Sequence, residues 1–218
     1  MTMPVKTLAL GALAAALLAT APAQAATTVL LSQNFSGGLG ANERLFGNFS
    51  VGGGRMGHVA GYYSNLEYSY YDVSLDLTGM IDALFSFDFA GSAELGFDGW
   101  NLLGAAEGSP FDPGAPLIAQ PNVHNRVVQA LLAPGVTGVA SGRATYDLTP
   151  FAGEVVNLRL RFASDHSITA SGVTFDNILA TGTQKAVSAA PEPSTWAIML
   201  VGFLGAGAML RRRQAALA

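Results

Sequence analysis

The sequence predicts an all-β protein, an antiparallel β-sandwich of the jelly-roll type, and its composition and hydrophobic period carry that prediction. Glycine accounts for 26 of 218 residues, and charged residues make up only 12%. A chain with so much glycine and so little charge is typical of a turn-rich β protein and not of a helical bundle. Apolar residues alternate with a period of two through 82–90 and 154–163. This alternation indicates strands that bury one face.

The first 25 residues have the pattern of a cleavable signal peptide. Lys6 precedes the apolar run 8–19, and Ala23 and Ala25 form the small-x-small site that a signal peptidase accepts. Pro22 ends the run too early for a membrane helix, which needs about 20 apolar residues. We therefore expect cleavage before Ala26, with signal peptidase as a partner, and export of the mature protein.

Residues 26–180 are predicted to form the sandwich domain. Gly, Pro, Asn and Asp separate its strands, and no convincing amphipathic helix interrupts them, which favours antiparallel sheets packed face to face. Residues 181–190 are small and polar, as expected of a linker. The nine predicted strands cover 28–35, 45–51, 66–78, 82–90, 99–104, 127–132, 144–148, 154–163 and 172–180.

The last part of this domain contains four ordered segments. They are 146–153 (YDLTPFAG), the strand 155–162, the turn 164–167 (SDHS) and the strand 172–178 (GVTFDNI). Together they are similar to the closing strands of jelly-roll modules of the concanavalin-A-like and MAM-like kind. In those modules the aspartate of the last strand often helps to hold a structural calcium. The resemblance therefore implies Asp176 as a calcium ligand, and no other cofactor is expected.

The C-terminal segment combines three features in a fixed order. Pro191-Glu192-Pro193 is followed by Trp196-Ala197, residues 196–210 carry no charge, and Arg211, Arg212 and Arg213 come directly after them. A single transmembrane helix is expected over about 194–210, with the arginines on the cytoplasmic side. Residues 191–218 resemble the PEP-CTERM sorting signal in its PEPxxWA variant.

The PEP-CTERM resemblance implies a route for the protein. An exosortase, an integral-membrane protease or transpeptidase, would remove the tail of an intermediate held in the inner membrane. The product would pass to the cell surface or extracellular matrix of a Gram-negative bacterium that makes extracellular polysaccharide. The alternative is a plain anchor that is never cut, which leaves a permanently membrane-anchored surface protein.

The sequence argues against several kinds of catalytic and binding site. The absence of cysteine excludes thiolate zinc sites and cysteine nucleophiles. Residues 26–190 carry seven Lys and Arg against fourteen Asp and Glu, a net charge of −7 that excludes a basic surface for nucleic acid. Gly52–Gly57 matches GxGxxG but opens no helix, so we predict a loop there. His58, His124 and His166 do not have the spacing of a metal site.

We therefore predict a protein that is not an enzyme and has a structural or adhesive role with polysaccharide as a partner. Tyr68, Tyr70 and Trp100 are the candidate ligand-binding residues, because aromatic rings stack on sugar faces. Alternation places Tyr68 and Tyr70 on one face of their strand and Tyr71 on the other. The alternative is a glycan-active hydrolase on the same scaffold. It needs two carboxylates in one groove, chosen from Asp88, Glu94, Asp98, Asp165 and Asp176.

Overall fold

A computed structural model describes residues 25–186 and 193–215. Residues 25–186 form one unit, and the helix at 193–215 belongs to another. Two single-turn 3-10 helices, Gln129–Leu131 and Thr149–Phe151, interrupt the strands. The elements are β1 (Thr27–Gln33), β2 (Glu43–Phe46), β3 (Ser50–Gly52), β4 (Arg55–Gly57), β5 (Tyr68–Asp76), β6 (Met80–Ser92), β7 (Gly99–Ala106), β8 (Arg126–Val128), β9 (Ala133–Gly135), β10 (Val139–Asp147), β11 (Val155–Ala163), β12 (Gly172–Gln184) and α1 (Pro193–Ala215).

The strands of residues 25–186 form two main sheets. The six-stranded sheet has the order β10-β6-β12-β4-β3, and β1 also pairs with β12. The four-stranded sheet has the order β2-β5-β11-β7, and β8 and β9 form a separate ribbon. All of these pairs are antiparallel. From β5 to β7 and from β10 to β12 the chain alternates between the two main sheets, a connectivity of the jelly-roll type.

One aromatic core joins the two main sheets. Trp100 of β7 lies in the four-stranded sheet, and its ring centroid is 5.3 Å from that of Phe175 in the six-stranded sheet. Phe87 of β6 contacts both rings. These contacts across the interior show that the sheets pack face to face. The antiparallel β-sandwich predicted from the alternation of apolar residues is therefore confirmed.

The segment predicted as one strand at 45–51 is divided between the sheets. β2 pairs with β5 of the four-stranded sheet, whereas β3 pairs with β4 of the six-stranded sheet. The chain crosses over after Gly47, which has φ +76°, and a Cβ at this position would lie 2.4 Å from Ser69 Oγ. The prediction of a continuous strand is therefore wrong, because glycine permits a turn here that alternation alone does not reveal.

The glycine-rich segment 52–57 contains the turn of a hairpin. Gly53 and Gly54 connect β3 to β4 with φ of +58° and +71°. Positive φ at both central residues is the requirement of a type I′ turn. The segment opens no helix, as predicted, but only Gly53 and Gly54 lie outside the strands, so the predicted loop is reduced to this turn.

The end of the sandwich lies beyond the predicted boundary at residue 180. β12 continues to Gln184, where Thr181 and Thr183 pair with β1 and with β6. The backbone N–H of Gln184 donates to the carbonyl of Ala26 at 2.9 Å. The first four residues of the predicted linker are therefore strand, because pairing with β1 and β6 outweighs their small, polar composition.

Helix α1 begins at Pro193 and continues through the three arginines. Proline is tolerated in a first helical turn because its missing N–H has no partner there in any case. None of the helices in the described residues has the length and apolar character required to cross a membrane. The helix predicted over about 194–210 is therefore observed, whereas the transmembrane span predicted there is not.

Candidate functional site

The outer face of the four-stranded sheet carries the tyrosines predicted from the sequence. Tyr68 is 42% exposed, Tyr70 is half-buried, and Tyr71 points inward with 1% exposure, as the alternation predicts. Trp100 does not join them. It is 1% exposed in the core, where it packs on Phe89 and Phe175. Its prediction as a ligand-binding residue is therefore corrected, because its position on β7 faces the opposite sheet.

Four side chains form a stacked row across this outer face, here called the aromatic row: Phe46, Tyr70, Arg159 and Phe111. The rings of Phe46 and Tyr70 are 4.8 Å apart and nearly parallel, at 15°. The Arg159 guanidinium carbon lies 3.8 Å from the Tyr70 centroid and 4.7 Å from the Phe111 centroid. Arg159 is thus held between two rings by cation–π contacts.

The aromatic row decides which rings a ligand can reach. β2 and β11 flank β5 on opposite sides, so Phe46 and Arg159 cover opposite faces of the Tyr70 ring. Tyr70 therefore acts as an internal member of the row. Phe46, at the end of the row, is 54% exposed and keeps its outer ring face free. Phe46 and Tyr68 are the aromatic side chains that this face presents to solvent.

An ion pair fixes the middle of the aromatic row. Arg159 Nε donates to Asp72 Oδ1 at 2.8 Å, and Arg159 Nη2 donates to Asp72 Oδ2 at 2.7 Å. The hydrogen bond to Asp72 raises the pKa of Arg159 above its ordinary value. Two parallel charge-assisted bonds fix the plane of the guanidinium and, through stacking, that of the Tyr70 ring.

A cleft of about 350 Å³ lies beside the aromatic row, within the range of roughly 300 to 1,000 Å³ that is common for ligand sites. Its polar walls come from β2, β5, β11 and the loops before β2 and after β7. The side chains that concern binding are Asn42, Arg44, Asp72, Ser74, Phe111 and Asn157. Aromatic surface next to convergent polar groups is the usual composition of a small-ligand site.

A second cluster brings together three of the five carboxylates proposed for a hydrolase. Oxygens of Glu94, Asp98 and Asp165 lie within 4.8 Å of one another, so these three residues could share one divalent cation. Asp98 is completely buried and accepts hydrogen bonds from Tyr63 Oη at 2.6 Å and from the Asp165 backbone N–H at 2.7 Å. Glu94 Oε2 is buried and finds no partner in the described residues.

Burial and like charge shift the titration of this cluster. Burial raises the pKa of Asp98 above its ordinary value. Burial, followed by the charges of Asp165 and Asp98, raises the pKa of Glu94. Three carboxylates this close cannot all ionise without a cost, which a proton or a cation relieves.

The remaining two carboxylates lie on the outer face of the six-stranded sheet, where Asp176 is opposite Asp88 in the register of β12 and β6. Asp88 accepts hydrogen bonds from Asn177 Nδ2 and from Arg143 Nη1, both at 2.8 Å. The Asn177 bond is the main cause that lowers the pKa of Asp88. The structure therefore separates these two from the other three, and calcium at Asp176 stays a prediction.

The predicted sorting and cleavage residues are distributed between described and undescribed segments. Ala25 and Ala26 are exposed at the start of the sandwich, whereas Ala23 lies outside the described residues. Pro191 and Glu192 also lie outside them. Pro193, Trp196, Ala197 and the three arginines Arg211, Arg212 and Arg213 belong to α1.

Sequence reasoning missed Phe46, Arg44, Arg159 and Phe111. Phe46 and Arg44 alternate with the inward Leu45, and that signal was present in the sequence. The contact of Phe111 with Arg159 was not foreseeable, because it joins a loop to a strand far along the chain.

Comparisons with known proteins return no matching family model and no matching curated protein. Three solved structures are similar. The K3 adhesin domain of Lys-gingipain from Porphyromonas gingivalis has 15% identity and a TM-score of 0.45, covering 72% of this chain and 99% of that one. Lectin I-B4 from Griffonia simplicifolia, in its metal-free form, has 9% identity and a TM-score of 0.41, covering 73% and 100%. The mannan-recognising module TmCBM27 has 11% identity and a TM-score of 0.35, covering 72% and 98%.

Proposed function

We propose that this chain is an exported protein of the cell surface or extracellular matrix whose sandwich binds polysaccharide without chemically altering it. The observation that carries the proposal is the aromatic row. It presents the free ring of Phe46, together with Tyr68, on a sheet surface beside a polar cleft. A pyranose has one apolar face that stacks on an aromatic ring, while its hydroxyls need polar partners nearby.

The rigidity of this surface favours binding. Tyr70 is held between Phe46 and Arg159, and Arg159 is held by Asp72 and Phe111. A ligand that stacks on Phe46 therefore meets a ring whose support is already ordered. Less conformational entropy is lost on binding to such a surface than on binding to mobile aromatic side chains.

The carboxylates support binding over hydrolysis. Glycoside hydrolysis needs two acids on either side of a bond in bound substrate. Glu94, Asp98 and Asp165 come together, but Asp98 is completely buried and both of its oxygens already accept hydrogen bonds. The cleft beside the aromatic row is lined by none of these three residues.

The binding proposal is tested by affinity electrophoresis through gels that contain neutral or acidic polysaccharides. We expect retardation of the wild-type protein by at least one polysaccharide, and about fivefold weaker binding for Phe46→Ala, because stacking of a sugar on an aromatic ring contributes on the order of 1 kcal/mol. Tyr62→Ala is the matched control, since Tyr62 is 78% exposed but lies outside the aromatic row. Equal binding by all three proteins would refute the proposed site.

Hydrolysis is tested on the same polysaccharides by measuring the release of reducing ends. We expect none above background. Release that is lost in Glu94→Gln would instead establish the hydrolase.

We also propose that the C-terminal segment is a sorting signal processed by an exosortase. The proposal is supported by the order of Pro191-Glu192-Pro193, Trp196-Ala197 and the arginine cluster in the sequence. Intact mass and terminal sequencing of the protein from its own host test it. We expect a species that begins at Ala26 and ends between 191 and 196. Recovery of only the form that retains Arg211–Arg213 would exclude processing.

A further inference from the structure

The cleft beside the aromatic row has an unusual charge balance. Asp72 is the only carboxylate among the described residues that line it, and Arg159 donates to both oxygens of that group. Arg44 lines the same cleft, is exposed, and forms no ion pair or hydrogen bond with any residue that the structure describes. The charge left without a partner in the cleft is therefore positive, although the domain as a whole carries −7.

Arg44 and the free ring of Phe46 are placed to contact the same sugar. Both residues lie on β2 and point to the outer face, two positions apart. Residues at this spacing on one face of a strand are about 6.5 Å apart. A single pyranose that stacks on Phe46 can therefore bring a substituent on its ring within reach of the Arg44 guanidinium.

Two further side chains in the cleft have hydrogen-bonding groups without partners among the described residues. Asn157 on β11 and the hydroxyl of Ser74 on β5 both line the cleft, and neither side chain takes part in a hydrogen bond there. An amide and a hydroxyl both donate and accept, as the hydroxyls of a sugar require. Arg44 only donates, and its geometry matches a carboxylate.

The geometry points to carboxylate-bearing sugars, the hexuronic acid units of an acidic polysaccharide, as the ligands of this cleft. One sugar ring stacks on Phe46 and its carboxylate pairs with Arg44, while the hydroxyls of a neighbouring unit of the same polysaccharide contact Asn157 and Ser74. This inference rests on the proposed function and adds the chemical class of the ligand. A neutral sugar would leave the Arg44 guanidinium without an anionic partner.

The test compares oligogalacturonate with its methyl-esterified form, which keeps the ring and removes the charge. Titration calorimetry is done in EDTA, so that no divalent cation can bridge the acidic protein and the acidic ligand. We expect the acid to bind the full-length protein about tenfold or more tightly than the ester, and to bind more weakly as salt rises. Arg44→Gln should lose this preference. Arg55→Gln, which removes an exposed arginine from β4, should keep it.

The outcomes separate this inference from the proposed function. If acid and ester bind equally and both depend on Phe46, polysaccharide binding stands and the uronate assignment fails. If the acid binds better but Arg55→Gln weakens it as much as Arg44→Gln, the preference comes from net charge and the site assignment fails. Oligomannuronate is tested as a second oligomer of a hexuronic acid. If neither it nor oligogalacturonate binds while a neutral glycan does, the uronate assignment also fails. If no acidic or neutral glycan binds, the proposed function fails with it.

Discussion

Glu67 is a buried carboxylate that organises the polar part of the core. It accepts hydrogen bonds from His58 Nε2 at 2.7 Å, Ser69 Oγ at 2.5 Å, Asn48 Nδ2 at 2.8 Å and the backbone of Ser64 at 2.9 Å. The backbone N–H of Val173 donates to His58 Nδ1 at 3.1 Å. His58 therefore accepts at one nitrogen and donates at the other. All four groups around Glu67 are donors, which suits a carboxylate and not an amide.

The hydrogen bonds to Glu67 predict a pH dependence of stability. Burial alone would raise the pKa of Glu67, but the bonds led by His58 lower it from 4.5 to about 2. A lowered pKa contributes stability that is present above pH 4.5 and is lost as the pH falls towards 2. The difference corresponds to about 3 kcal/mol. The free energy of unfolding of the wild-type protein, measured with urea, should fall by this amount as the pH is lowered from 4.5 to 2.

Glu67→Gln should be destabilised at pH 7 by a similar amount and should lack that part of the pH dependence. The amide of the substituted glutamine would place its N–H donors against groups that are themselves donors, so hydrogen bonds are lost. Parallel pH profiles for the wild type and the variant would contradict the assignment.

The hydroxyl of Tyr146 is buried and makes no hydrogen bond among the described residues. The rest of the side chain is completely buried as well. Tyr146→Phe should therefore leave the free energy of unfolding unchanged or raise it by up to about 1 kcal/mol. Tyr71→Phe is the control, because Tyr71 Oη donates to Glu43 at 2.7 Å. Its loss should cost about 1 to 3 kcal/mol in urea unfolding. Equal losses in the two variants would show that Tyr146 has a partner after all.

The crossover from β2 to β3 depends on a single residue without a side chain. Gly47 has positive φ, and a Cβ would approach Ser69 Oγ and the Tyr68 carbonyl at 2.4 and 2.7 Å. Gly47→Ala should cost about 3 kcal/mol or more, because strain and collision add. Gly53→Ala also requires positive φ but meets open space, so it should cost only about 1 to 2 kcal/mol. Thermal denaturation of both variants distinguishes collision from backbone strain.

The loops that hold Glu94, Asp98 and Asp165 are predicted to be strained by like charge. Because the pKa of Glu94 is raised, its ionised form destabilises the folded protein, and this effect disappears as the pH falls. Glu94→Gln should therefore melt at a higher temperature than wild type at pH 8 in EDTA, with the difference shrinking towards pH 4. Glu107→Gln, at an exposed position, should show no such difference. A lower melting temperature for Glu94→Gln would contradict this account.

At the scale of the whole molecule, the domain boundary can be tested by truncation. Thr181–Gln184 pairs with β1 and β6, so a chain that ends at Ala180 loses these backbone hydrogen bonds, whereas one that ends at Ala186 keeps them. The shorter chain should be at least about 2 kcal/mol less stable in urea unfolding. Equal stability of the two chains would restore the boundary predicted from composition.

Local patterns predicted most of the fold and only part of the candidate site. The alternation at 82–90 and 154–163 placed β6 and β11 correctly, because each strand buries one continuous face. The split between β2 and β3 was hidden, since Leu45 and Val51 are apolar in either arrangement. The spacing alone placed Tyr68 and Tyr70 on one face and Tyr71 on the other, but it did not show which face is the outer one. Trp100 was assigned to a ligand because nothing local shows that its face of β7 meets the other sheet.

The pairing of β1 with β12 joins the two ends of the domain. Strand β12 is an inner strand that pairs with β1, β4 and β6. The six-stranded sheet therefore cannot form until these last residues of the domain have been synthesised. Such pairing between the two ends of a sequence is slow, since it must wait for a long loop to close. A chain that has been synthesised only as far as β11 therefore lacks the strand that joins β1, β4 and β6. The sandwich is completed only after Gln184 has emerged.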